Sequence, residues 1–240
     1  MKKLSLLLIV SFLSFAAFSQ GSLLNKAKDA LNKAKGGSGS SLGTEEIAAG
    51  LKEALSVGAT NSSGKLSAAD GFFKDAAVKI LMPEQVQKAE KKMRMLGMGK
   101  LVDNTILSMN RAAEDASKSA ADIFIKAIRQ MSISDAMGIL RGTDTAATGY
   151  LRTVTNAELT AAFKPVIESS LAKVDATKYW KDFFGAYNKF SSEPVNTDLT
   201  AYVTERAMKG IFHYVAEEEK KIRKDPAARV SDILKKVFSN

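Results

Sequence analysis

Residues 198–224 have the sequence DLTAYVTERAMKGIFHYVAEEEKKIRK and form the longest helix that the sequence predicts. Glu217 and Lys221 are four residues apart, as are Glu219 and Arg223, in the orientation that favours ion pairs along a helix. We expect these side chains to form a solvated, self-paired face. No segment of the chain shows the sustained alternation of apolar and polar residues that half-buried strands require. The sequence therefore predicts an all-α fold.

Helix start and stop signals divide the residues before this segment. Pro83 has the position of a first helical residue, and Gly97 is placed to end the helix that Pro83 opens. The sequence Thr155-Asn156-Ala157-Glu158 matches a capping box and predicts that another helix begins there. The one strand-like piece, residues 78–82, is too short to build a sheet.

Together these signals predict a single bundle-like domain of about ten helices over residues 42–240. The last of these helices begins at Asp225-Pro226 and ends near Phe238. The chain has 45% hydrophobic and 25% charged residues, which is typical of a globular protein that buries a core. Because the chain has no cysteine, packing rather than disulfide bonds must stabilise this domain.

Residues 1–19 have the pattern of a secretory signal peptide. Two lysines precede an uncharged, mostly apolar stretch, and Ala17-Phe18-Ser19 supplies the small residues for cleavage before Gln20. Without a cysteine after this stretch, the protein cannot be a lipoprotein. We expect export, to the periplasm if the cell is Gram-negative.

Two further segments separate the signal from the domain. Residues 20–35 predict a short basic amphipathic helix, and residues 36–41, GGSGSS, have the composition of a flexible linker. A basic helix can dock on an anionic membrane surface or an envelope protein, although one of about 14 residues is marginal in water. Export and the interleaving of lysines with acids argue against nucleic acid as the partner, despite a net charge of +9. The docking candidates are Leu23, Leu24, Lys26, Lys28, Leu31, Lys33 and Lys35.

The densest polar cluster comprises Asn110, Arg111, Glu114 and Asp115. Arg111 is three and four residues from the two carboxylates, so it can pair with them on one helix face. Asn110, Arg111 and Glu114 are the catalytic candidates if the protein is a hydrolase or lyase. We favour the alternative, a structural ion pair between helices. The chain has one histidine, no glycine-rich phosphate loop and no nucleophile elbow, and the sequence predicts no cofactor.

A second candidate site is a predicted helix start at Gly142, Thr143 and Asp144. The free amides of a helix start can hold an anion, and Thr148 and Tyr150 follow on the same helix. Ordinary helix capping explains the same residues without any ligand.

Two residue sets could bind a metal ion. His213 and Glu217 are four residues apart and could supply two ligands, which further carboxylates would have to complete. Met93, Met95 and Met98 carry thioethers, which bind Cu(I), although methionines at a helix end more often pack into the core. The sequence therefore predicts no resident metal.

Aromatic residues are concentrated between residues 179 and 187, and Tyr202, Phe212 and Tyr214 follow in the next predicted helix. Such residues usually form the core of a helical domain. They could instead line a pocket for an apolar ligand.

Residues 42–240 resemble the bacterial domain-of-unknown-function family 4197. This resemblance implies an exported, all-helical domain and brings no established activity with it. The matching stretches, in order, are GTEEIAAGLKEAL, DGFFKDAAVKILMPE, MLGMGKLVDNTILSMNRAAEDA, ILRGTDTAATGYLR and YVTERAMKGIFHYVAEEEKKIRKDPAARVSDILKKVF.

From these observations we expect a non-enzymatic binding or interaction module of the cell envelope. The alternatives are a carrier of a lipid or other apolar ligand, and a hydrolase or lyase that uses carboxylates and an arginine. The sequence identifies neither a ligand nor an oligomeric state.

Overall fold

The computed structural model describes residues 43–189, 192, 194 and 197–224. No strand occurs among these residues, and the predicted all-α class is confirmed. A 3-10 turn (Glu84–Val86) and a π-helical turn (Arg94–Met98) flank the second helix. The α-helices are α1 (Thr44–Ser67), α2 (Gln87–Met93), α3 (Gly99–Ser117), α4 (Ala120–Gln130), α5 (Ile133–Arg141), α6 (Ala146–Ala172), α7 (Ala176–Asn188) and α8 (Leu199–Lys224).

The prediction of about ten helices is wrong, because only six of the helices in the described residues exceed ten residues. The predicted capping box at residues 155–158 lies in the middle of α6 and starts no helix. Thr155 is buried, and its hydroxyl donates to the Leu151 carbonyl at 2.6 Å. Glu158 instead pairs with Lys126 of α4 at 2.9 Å. With 27 residues, α6 also exceeds the 26 residues of α8, which the sequence predicts as the longest helix.

The continuity of α6 has a clear cause in its core-facing residues. A buried side chain occurs at every fourth position from residue 147 to residue 171, so one apolar stripe runs along the whole helix. The capping signal at residues 155–158 does not start a new helix, because buried residues of the same stripe precede it and follow it. The stripe comprises Ala147, Leu151, Thr155, Leu159, Phe163, Ile167 and Leu171.

The centre of the fold is formed by α3, α6 and α8, which all contact one another. The first helix, α1, packs against α3, α4, α5 and α8. Phe124 of α4 and Phe212 of α8 meet edge to face, with ring centroids 5.7 Å apart. No helix in the described part of the chain combines the length and the apolar character that crossing a bilayer requires.

Several predictions concern residues that lie outside the described part of the chain. These are the signal peptide (1–19), the basic helix (20–35), the linker (36–41) and the helix after Asp225-Pro226. Within the described part, Gly97 interrupts the helix that begins after Pro83, with a φ of 82°, and helix resumes at Gly99.

Residues 68–83, between α1 and the 3-10 turn, form turns and irregular backbone rather than a helix, and we call them the extended segment. Phe72 of this segment is fully buried against Gly210 in the middle of α8. A Cβ atom on Gly210 would lie 2.6 Å from the nearest ring carbon of Phe72, which is closer than non-bonded carbons approach. Glycine weakens a helix interior, so its presence here reflects the space that the aromatic ring requires.

We expect Gly210→Ala to lower the free energy of unfolding by about 1–3 kcal/mol, because overpacking outweighs the better helix propensity of alanine. Gly64→Ala in α1 is the matched control, since Gly64 is exposed and nothing lies within 4 Å of its added Cβ. That control should raise stability by about 0.5–1 kcal/mol. Urea unfolding followed by circular dichroism measures both values, and a stabilised Gly210→Ala variant would contradict the close approach.

Candidate functional site

Asn110, one of the catalytic candidates, is fully buried, and its side chain is hydrogen-bonded to the backbone of the extended segment. Its Oδ1 accepts a hydrogen bond from the amide of Ile80 at 2.8 Å. Its Nδ2 donates to the carbonyl of Ile80 at 2.8 Å and to that of Ile106 at 2.7 Å. The side chain thus pairs with both backbone groups of Ile80, as a neighbouring strand would. This explains how the strand-like residues 78–82 are stabilised in a helical protein.

Glu114 and Arg111, the other two catalytic candidates, anchor the same segment. One carboxylate oxygen of Glu114 accepts from the amides of Phe72 and Phe73 at 3.1 and 3.2 Å. The other accepts from Arg111 at 2.6 Å, and Arg111 also donates to Asp70 at 2.6 Å. Glu114 is only 4% exposed. A buried carboxylate with these partners has a structural role, since removing any of them leaves polar groups unpaired.

Asp70, which pairs with Arg111 of this cluster, is held in its ionised form by two cations. Asp70 lies against Lys74 at 2.8 Å and Arg111 at 2.6 Å, and these two cations lower the pKa of its carboxyl. Asp115, the remaining member of the cluster, pairs with Lys118 at 2.8 Å rather than with Arg111.

The predicted anion site at the start of α6 holds a carboxylate from the chain itself. Glu219 of α8 accepts from the amides of Ala147 and Thr148 at 2.9 and 2.8 Å, and from the Thr148 hydroxyl at 2.8 Å. Arg223 donates to Glu219 at 2.9 Å and to the Ile139 carbonyl at the end of α5, also at 2.9 Å. One ion pair therefore caps the end of one helix and the start of the next.

The other residues of this predicted site have structural positions. Gly142 ends α5, and its amide donates to the Ile139 carbonyl at 3.1 Å. Thr143 is exposed, and its carbonyl accepts from the Ala146 amide. Asp144 pairs with Lys224 at 2.8 Å, which lowers the pKa of the carboxyl. Tyr150 is half-buried and packs against the core.

The burial of Glu219 corrects the expectation of a solvated glutamate face. Glu219 is 4% exposed and pairs with Arg223, as its spacing predicts. Glu217 pairs with Lys220 at 3.1 Å instead of Lys221, and Lys221 lies 3.7 Å from Glu218. Glu219 also lies in register with Val215 and Ile222 on the buried face of α8. That helical spacing is the signal that would have identified it from the sequence.

The two weak metal candidates lie on the surface of α8. His213 is exposed, and its ring meets that of Tyr214 edge to face at 5.2 Å. Lys220 lowers the pKa of the Glu217 carboxyl. Over the residues that the structure describes, no three or more His, Asp and Glu side chains are grouped to hold a metal ion.

An apolar cleft of about 200 Å³ lies between the π-helical turn, the start of α3 and α7. Two of the three predicted methionines, Met93 and Met98, line it together with Met82, whereas Met95 is 78% exposed outside it. Tyr179 and Trp180 of the aromatic segment form its opposite wall. The full lining is Met82, Met93, Met98, Leu101, Val102, Thr105, Tyr179, Trp180, Asp182 and Phe184.

The aromatic wall of the cleft is held by ring contacts. Trp180 lies 4.4 Å from Phe184 and stacks on Tyr202 at 6.0 Å, measured between ring centroids. The other predicted pocket residues lie elsewhere. Phe212 packs into the core, and Tyr214 donates a short hydrogen bond to Asp75.

A second cavity of about 350 Å³ adjoins the cleft and shares Leu101, Thr105 and Tyr179 with it. It also contacts Asn104 and Ser108, so it is more polar than the first. The second cavity lies within the size range typical of small-molecule sites, about 300–1,000 Å³, and the smaller cleft opens beside it. The sequence does not single out Leu101, Val102 or Thr105, because their helical spacing on α3 equally predicts core packing.

The fold and its site define an all-helical protein with an apolar, methionine- and aromatic-lined cleft. The family model described as "Protein of unknown function (DUF4197)" matches residues 41–239. The chain belongs to this family, and the resemblance that the sequence suggests is confirmed. No curated protein and no solved structure matches the chain.

We expect Glu219→Ala to lower the free energy of unfolding by about 3–5 kcal/mol, because the α6 amides and Arg223 lose a buried partner. Glu217→Ala, two residues away on the same helix, removes only an exposed ion pair and should leave the unfolding midpoint unchanged. Urea titrations of the two variants and the original protein measure the difference. Equal midpoints for both variants would show that Glu219 does not cap α6.

Proposed function

We propose that this protein is an exported, non-enzymatic binding module, and that its binding site is the cleft between the π-helical turn, α3 and α7. The observation that carries the proposal is the lining, in which three methionines face Trp180, Tyr179 and Phe184 across about 200 Å³. Methionine side chains adapt to differently shaped apolar partners. Such a wall accepts an apolar ligand without demanding one fixed shape.

An apolar small molecule or acyl chain is the ligand class that this lining supports. Among the residues that line the cleft, only Asp182 carries a charge, and Thr105 donates its hydroxyl hydrogen to the Leu101 carbonyl at 2.9 Å. The favourable free energy of binding comes from removing the apolar surfaces of the ligand and of the cleft wall from water. We therefore propose that the protein binds as a carrier of a lipid or other apolar ligand.

A hydrolase or lyase finds less support in the same geometry. The side chains of Asn110 and Glu114 are hydrogen-bonded to the backbone of the extended segment, and Arg111 bridges Glu114 and Asp70. None of the three lines the cleft. Their placement supports the structural role that the sequence favours.

Trp180 is the only tryptophan of the chain and lines the cleft, so its fluorescence reports binding there directly. We expect dodecanol, an uncharged apolar probe, to cause a saturable change in that fluorescence. Thr105→Phe fills the cleft from α3 and should weaken binding at least about tenfold, or about 1.4 kcal/mol, because the added ring occupies the space of the ligand. Thr153→Phe on the exposed side of α6 is the control and should bind as the original protein does.

A titration without saturation would overturn the proposal, as would undiminished binding by the Thr105→Phe variant. Thermal unfolding of both variants checks that each one folds.

Residues 20–35 are proposed as a second contact, through the basic amphipathic pattern that contains Leu23, Leu24, Leu31 and the surrounding lysines. We expect removal of residues 21–41 to weaken sedimentation of the protein with anionic vesicles, because four lysines and the apolar stripe are lost. Unchanged association with vesicles and with the envelope fraction would exclude this segment as the docking element. The dodecanol titration should be unaffected by the deletion.

A further inference from the structure

The two most exposed large apolar residues of the described chain are neighbours. Met95 is 78% exposed and Leu96 is 77% exposed, whereas no other large apolar residue there exceeds 54%. We call Met95 and Leu96 the apolar tip. Soluble proteins bear scattered exposed apolar residues without any function, but adjacent ones with almost the whole side chain in water suggest a contact surface.

The backbone holds the apolar tip away from the helices. Gly97 has a φ of 82°, which breaks the helix directly after the tip. Arg94, just before the tip, pairs with Glu90 of α2 at 3.0 Å and with Asp103 of α3 at 2.8 Å. This bridge joins the helices on both sides of the π-helical turn, so the tip is presented on a fixed turn.

The charges around the apolar tip are mostly positive. Lys91 and Lys92 precede Met95 and Leu96 by one helical turn each, and Lys100 follows at the start of α3. All three lysines are exposed, and none has an ion-pair partner among the described residues. The nearby acids Glu90 and Asp103 are both engaged by Arg94. The surface around the tip therefore has uncompensated positive charge.

We infer that the apolar tip inserts into the surface of an anionic lipid bilayer, with Lys91, Lys92 and Lys100 contacting the headgroups. Charge complementarity selects this occupant, because apolar side chains surrounded by lysines suit an interface that is apolar within and anionic outside. The basic segment 20–35 has the same sign of charge as this surface and is therefore a poor occupant for it.

The inference is independent of the ligand proposed for the cleft, but the two surfaces adjoin. Met98, two residues after Leu96, is 40% exposed and lines the cleft. Tyr179, on the opposite wall, is 50% exposed. A tip inserted in a bilayer would bring the mouth of the cleft to the lipid surface.

A single label reports this insertion directly, because the chain has no cysteine of its own. Leu96→Cys in the full chain, expressed with its own leader, is labelled with the environment-sensitive dye NBD. Vesicles of phosphatidylglycerol and phosphatidylcholine are then added. We expect a blue shift and an intensity rise of about threefold or more as the dye leaves water. The same dye at Val154→Cys, an exposed apolar position on α6, should not respond.

Charge variants test the role of the lysines with the labelled protein. Lys91→Gln with Lys92→Gln should weaken vesicle binding by about 25-fold, since each surface lysine contributes about fivefold. Lys164→Gln with Arg141→Gln removes the same net charge from exposed positions on α6 and α5, and should have a much smaller effect.

Each other outcome overturns the inference. If the protein sediments with anionic vesicles while the dye at residue 96 stays unchanged, another surface binds. An equal response to vesicles of phosphatidylcholine alone would show that insertion does not depend on anionic headgroups, which contradicts the contact inferred for the lysines. Because dodecanol binding is measured without vesicles, failure of the cleft proposal is distinguished from failure of this one.

Discussion

This structure depends on one constraint, which is that buried backbone amides without a partner in a helix or strand must be hydrogen-bonded by side chains. A chain of helices without disulfides must still bury the segments that connect them, and each unpaired amide costs free energy there. Two buried glutamates each accept hydrogen bonds from two such amides. Glu114 accepts from the amides of Phe72 and Phe73, and Glu219 accepts from those of Ala147 and Thr148. Each also pairs with an arginine of its own helix.

These two carboxylates determine which polar residues remain for chemistry. From the sequence, the cluster around Glu114 is a candidate active site and the start of α6 a candidate anion site, because both have the residue types that such sites use. In the structure, the groups that would bind a substrate or an anion are bound to the protein itself. The same chemistry that makes a helix start attractive to a phosphate makes it attractive to a buried carboxylate. A pattern of residues along one helix does not distinguish the two, because the partner comes from a distant part of the chain.

The all-α class, the break at Gly97 and the pairing of Glu219 with Arg223 could all be predicted, because each follows from spacing within one segment. The prediction of a helix start at residues 155–158 fails because capping is a local preference, while the stripe of α6 is buried over seven turns. The expectation of a solvated face at residues 217–219 fails for a related reason. Three consecutive glutamates look alike in sequence, and only the register with Val215 and Ile222 distinguishes the buried one. The cleft lies between two predicted features, the methionines and the aromatics. Their proximity depends on α7 packing against α6 and α8, which a pattern within one segment does not reveal.

The apolar surface of this protein is distributed unevenly, and this separates the part that stabilises the fold from the part available to a partner. In the centre, α3, α6 and α8 bury their apolar stripes almost completely. Around the π-helical turn, Met95, Leu96 and Met98 remain in water, although burying side chains of this kind would contribute about 1.5–3 kcal/mol each. Gly97, with a φ of 82°, interrupts the helix directly after Leu96, and Arg94 bridges Glu90 and Asp103 across the turn that presents these side chains. Packing within the described residues therefore leaves this apolar surface in water beside the cleft, so it is the surface whose burial by a partner would give the largest gain in free energy.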